Sequence, residues 1–128
     1  MRTRRVLVGT FDLFNVGHLA QISAVSGPDV DVIVAVVTDD GIHNLMGKYP
    51  YLPDIERVDI VGEMADVSAA TLIGPKNAWE LPVYDELHVD EQTLRALVAA
   101  GIDLVGAQPL AATRKPANAA LCLASNAA

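Results

Sequence analysis

Residues Gly9-Thr10-Phe11-Asp12-Leu13-Phe14-Asn15-Val16-Gly17-His18 set two glycines and a histidine at the spacing of a strand that turns sharply into a helix. A glycine-led turn brings backbone amides close to a bound group, and a helix N-terminus carries partial positive charge. The ligand such a junction favours is an anion, with the His18 imidazole as a further donor at the helix start. His43 and His88 have no partner at metal-ligand spacing, and neither a zinc pattern, a hydrolase carboxylate pair nor a serine nucleophile elbow is present. The single cysteine, Cys122, sits between Leu121 and Leu123 and reads as a packed thiol rather than a nucleophile.

Charge narrows the ligand further. The 128 residues carry a net charge of −7, a field that repels a nucleic-acid polymer and an anionic membrane. A small anion is still admissible, because oriented amides and one or two lysines make a locally positive pocket on an acidic protein. No apolar run approaches the length of a membrane span, and the basic start Met1 to Arg5 leads into only Val6 to Val8, so neither an anchor nor a signal peptide is expected. A lone cysteine suits a reducing cytoplasm. With 52% hydrophobic residues the chain has material for one well-buried core, and some apolar surface left for a partner subunit.

The elements that must position the junction follow from periodicity. Arg4 to Gly9 reads as a short buried strand, and Asp29 to Thr38 as a second, nearly continuous in valine as when both sheet faces are covered. Between them Leu19, Ile22 and Val25 predict a helix from about Gly17 to Val25, ended by Ser26-Gly27-Pro28. Ile55, Val58, Val61 and Ala65 predict a second helix led by Pro53, followed by a strand over Ser68 to Ile73 and a Gly74-Pro75 turn. Asp90 is the expected N-cap of a helix carrying Leu94, Leu97 and Val98, closed by Gly101 before a strand over Ile102 to Val105. This alternation predicts a single α/β domain over 1–128, a Rossmann-like doubly wound open parallel sheet with its ligand site beyond the carboxyl ends of the strands.

The stretch GTFDLFNVGH resembles the GTFDxxHxGH signature of the cytidylyltransferase-like nucleotidyltransferases, especially the small glycerol-3-phosphate cytidylyltransferase type. The resemblance continues through Val34 to Asp40, Gly47-Lys48-Tyr49-Pro50 and Glu56 to Val61, and covers roughly residues 4 to 80. It implies transfer of a nucleotidyl group: a phosphate-type oxygen attacks the α-phosphorus of a nucleoside triphosphate and pyrophosphate leaves. Such chemistry needs placed donors and cations more than a nucleophile. The roles implied are catalytic for His18, Lys48 and Asn15, and nucleotide-binding for Gly9, Thr10, Phe11, Asp12, Gly17, Arg57 and Arg114. His18 would donate to an α-phosphate oxygen, and Lys48, in the loop after the second strand, would neutralise phosphate charge. Asp12 either shapes the turn or orients the loop by accepting backbone N–H groups, or touches ligand directly. Arg57 either faces the phosphates or makes a helix-surface ion pair. Mg²⁺ is implied as a companion of the triphosphate, held mainly by phosphate oxygens and water. Trp79 either lines the acceptor pocket or packs.

Three departures separate this chain from the pattern. Asn15 replaces the first signature histidine and can donate but not carry charge, although the phosphopantetheine adenylyltransferase branch also has a neutral residue there. Met46 stands where relatives commonly have a second lysine. The C-terminal phosphate-contacting segment has only Thr113 to Ala120 as its counterpart, with Arg114 and Asn118 as its polar candidates. The expected function is transfer of CMP from CTP to a small phosphorylated or phosphonate acceptor, by a homodimer. The alternatives are adenylyl transfer from ATP and a degenerate domain that binds nucleotide or serves assembly without turnover.

Overall fold

The computed structural model describes residues 2–104 and 106–110. Five strands, β1 (Thr3–Gly9), β2 (Val30–Val37), β3 (Ala69–Ile73), β4 (Glu86–Asp90) and β5 (Ala107–Leu110), form one parallel sheet in the order β3-β2-β1-β4-β5. The chain builds outward from β1 to β3, then crosses back to lay β4 on the other side of β1. A crevice therefore opens where β1 meets β4, the position at which open α/β sheets bind ligands.

Each face of the sheet is covered by two helices. Leu7, Val32, Val34 and Val36 pack with Ile22 and Val25 of α1 (Val16–Val25) and Val61 of α3 (Asp54–Gly62). Val6, Val8, Ala35 and Val37 pack on the opposite face with Ile42 of α2 (Asp39–Met46) and Leu97 of α4 (Glu91–Ala99). Alternate residues of each central strand thus serve opposite cores, which explains the unbroken valine runs. Burial of each such side chain contributes about 1.5–3 kcal/mol of transfer free energy.

Several sequence expectations change in detail. The fifth strand is Ala107–Leu110, beyond Gly106 (φ +80°), whereas Ile102 to Leu104, expected in a strand, are not in one. Ile102 and Leu104 are apolar because they pack under the core after α4, where the Ile102 amide donates to Leu97 O. Strand β4 was not anticipated: Leu87 and Val89 alternate with Glu86, His88 and Asp90, so only one face of a short segment is apolar. Residues 39–46, for which no element was expected, form α2, capped by the Thr38 hydroxyl on Gly41 N and closed by left-handed Gly47. Helix α3 ends at Gly62 and buries Arg57 and Val61, while Ile55 is 66% exposed and Ala65 lies beyond its end. The anticipated apolar faces of α1 and α4 also have exposed members, Leu19 and Val98.

Candidate functional site

The turn leaving β1 holds two non-glycine residues in the left-handed region, Phe11 (φ +52°) and Leu13 (φ +50°). Such conformations cost on the order of 1 kcal/mol or more each, and burial of the Phe11 ring in the core offsets that cost. Gly9 is required by close approach: a Cβ there would stand 3.0 Å from the Phe11 ring. The turn delivers Asn15 as the N-cap of α1. Its Oδ1 accepts from Gly17 N (2.8 Å) and His18 N (3.3 Å), and its own N–H donates to His18 Nδ1 (3.1 Å). The helix start is thereby self-capped. The amides of Gly17 and His18, expected to be open to an anion, already face the Asn15 oxygen.

That box also fixes the chemistry of His18. A backbone N–H can only donate, so Nδ1 is an acceptor and the neutral ring carries its proton on Nε2. Burial lowers the His18 pKa below its ordinary value, against the opposing pull of the Asp90 and Asp12 carboxylates. At neutral pH His18 is an uncharged hydrogen-bond donor, flanked by the rings of Phe11 and Phe14 at 5.4 and 5.5 Å.

Two long-range clamps hold the opposite wall. Both Asp12 oxygens accept backbone amides of the loop following α2, from Tyr51 (2.8 Å) and Leu52 (3.1 Å), so Asp12 orients a loop rather than shaping its own turn. Arg57 is fully buried. Its guanidinium donates to Leu52 O (2.9 Å), Thr10 O and Val37 O (both 2.7 Å), and Asp39 Oδ1 (2.8 Å). The expectation that Arg57 faces the phosphates or rides on the helix surface is therefore corrected: it ties together the ends of β1 and β2 and the loop after α2. Lys48 lies on that loop, exposed, with no ion pair among the described residues.

These elements enclose two adjoining clefts that share Thr10 and Gln92. The smaller, of about 130 Å³, is lined by Gly9, Phe11, His18, Gln21 and Asp90. The larger, of about 330 Å³, is lined by Asp12, Lys48, Tyr49, Tyr51 and the α2 residues Ile42 and Met46. The structure thus brings Gly9, Thr10, Phe11, Asp12, His18 and Lys48 around one end of β1. Gly17 is buried at the start of α1, Asn15 is spent in capping, and Trp79 packs against the core beside Gly41. Arg114, Asn118 and Cys122 fall outside the described residues.

Sequence reasoning recognised Asp90 only as a cap, which it is for Thr93 N (3.3 Å). It missed that the same carboxylate, held by Gln21 Nε2 at 2.7 Å, closes the far side of the His18 cleft. Its place at the carboxyl end of a strand was the available signal, hidden because β4 was not seen. Tyr49 and Tyr51 were missed too, because their loop position gave no periodicity to read. Among the described residues no three His, Cys, Asp or Glu side chains are grouped to hold a metal ion, and both cleft carboxylates already accept hydrogen bonds. No helix among these residues is long and apolar enough to cross a membrane.

Comparison with known proteins agrees with this architecture. A family model described as cytidylyltransferase-like matches residues 6–113. The crystal structure of a lipopolysaccharide core biosynthesis protein from Thermoplasma volcanium GSS1 superposes with a TM-score of 0.65 at 18% identity, covering 91% of this chain and 100% of that one. At that identity the likeness is one of fold.

Proposed function

This chain belongs to the cytidylyltransferase-like family of nucleotidyltransferases, and from that premise we propose that it transfers CMP from CTP to a small acceptor bearing a phosphate or phosphonate. The observation that carries the proposal is His18: a neutral imidazole with its Nε2 proton available, at the helix start beside the β1 turn, one cleft away from the unpaired cation Lys48. An acceptor oxygen attacks the α-phosphorus, a new P–O bond forms, the α–β bridging P–O bond breaks, and pyrophosphate departs with that electron pair. His18 Nε2–H donates to an α-phosphate oxygen as charge builds there, and Lys48 balances the acceptor's anionic group at the larger cleft. Asp12 and Arg57 act through position, holding the Lys48 loop against the β1 turn. Mg²⁺ would enter with the triphosphate, held mainly by its oxygens and water, and would supply charge neutralisation there.

A second reading, a nucleotide-binding or assembly module without turnover, is favoured by the Asn15 cap, which occupies amides an anion would use. Leu13, Val16 and Leu19, roughly half exposed along the turn and the outer face of α1, support the homodimer, and light scattering at ~13.5 kDa would refute it. A cytoplasmic setting accords with the single cysteine. Calorimetric titration with CTP and then ATP in Mg²⁺ tests the nucleotide. Micromolar binding of CTP alone, followed by pyrophosphate release with an acceptor panel, is the expected result. ATP preference would reassign the nucleotide, and binding without release under any acceptor would favour the module.

A further inference from the structure

We propose that the larger cleft is a subsite for a flat, unsaturated ring carried by the phosphate-bearing acceptor, an inference that rests on the transferase reading and deepens it. Two tyrosines on one short loop line this cleft, Tyr49 at 62% and Tyr51 at 81% exposure. Large aromatic surface left in water beside a concavity is the usual material of a ligand wall. The Tyr49 ring is held in place by His43, stacked on it at 4.3 Å and 18°. The loop itself is fixed by the Asp12 and Arg57 hydrogen bonds, so the wall stands before any ligand arrives. Ile42 and Met46 add apolar surface from α2.

The polar groups of the cleft select against a polyol acceptor body. Asp12 is the carboxylate of this wall among the described residues, and both its oxygens accept loop amides, which hold it to the loop. A polyol needs several donors and acceptors, and beyond the tyrosine hydroxyls the cleft offers Thr10 and Gln92. Among the described residues Lys48 is the one cation lining the cleft, enough for a single phosphate or phosphonate. At about 330 Å³ the space takes one ring system with its anionic group and little more.

Isothermal titration of the intact protein with naphthyl phosphate, glycerol phosphate and phosphocholine tests this directly. Naphthyl phosphate is expected to bind about tenfold tighter than the other two. Tyr49→Ala and Tyr51→Ala, both at exposed positions, should each remove most of that preference while leaving glycerol phosphate affinity unchanged. Saturating CTP with Mg²⁺ should not displace naphthyl phosphate. Equal or tighter binding of glycerol phosphate or phosphocholine overturns the proposal, as does a preference untouched by both substitutions. Displacement by CTP also overturns it, assigning the cleft to the nucleotide. If neither CTP nor ATP binds, the transferase reading fails, while the naphthyl phosphate measurements still decide the ring subsite.

Discussion

Replacing Arg57 by methionine removes the donor set that joins three segments while leaving a side chain of comparable length. The Asp39 carboxylate loses its partner, and the carbonyl oxygens of Thr10, Val37 and Leu52 lose theirs. Breaking a buried charge pair by deleting one member costs about 3–5 kcal/mol. The Asp39 side chain is 35% exposed and recovers some hydration, which places the cost near the lower end of that range. With a urea m-value of about 2 kcal/mol per molar, the midpoint should fall by about 1.5–2 M. Arg95→Met is the control, because its ion pair with Glu91 is exposed and should contribute less than about 0.5 kcal/mol. Urea unfolding followed by circular dichroism, alongside nucleotide titration, separates the alternatives. A midpoint within about 0.5 M of the parent, together with lost nucleotide affinity, would refute the positioning role and restore Arg57 as a direct phosphate contact.

Removing the imidazole by His18→Ala should lower pyrophosphate release by at least about 10²-fold with the far-ultraviolet spectrum unchanged, and full turnover in that variant would remove the mechanism. The depressed His18 pKa fixes the sign of its pH linkage: the unfolded chain takes up this proton near pH 6.5 and the folded chain only at lower pH. Stability from this group is therefore present above about pH 6.5 and lost on acidification, so urea midpoints should fall more steeply toward pH 5.5 in the parent than in His18→Gln; the opposite order would contradict it. Asn15→Ala should cost about 1 kcal/mol by thermal melting, whereas Asn15→Asp should keep the cap and weaken triphosphate binding several-fold by charge repulsion. Gly9→Ala, whose Cβ would press on the Phe11 ring at 3.0 Å, should destabilise by about 1–3 kcal/mol, and an unchanged melting temperature would show that the turn relaxes freely.

What the sequence by itself determined was local. The glycine-led turn, the cap at Asp90, the valine runs of β1 and β2 and the breaks at Gly27-Pro28 and Gly101 are all readable from spacing, because each is set by neighbours within a few residues. The family and its parallel sheet followed from the same ten-residue junction and the alternation around it. The tertiary structure decided which of the motif residues face a ligand and which are consumed in holding the site. Arg57 bonds Thr10 across 47 positions, and Asp12 bonds Tyr51 and Leu52 across 39 and 40, separations at which composition and period carry no signal. Asp90 enters the site because β4 pairs with β1, a pairing between segments about 80 positions apart in the chain. A side chain's type states what it can donate or accept, and only the packed fold determines which partner uses it.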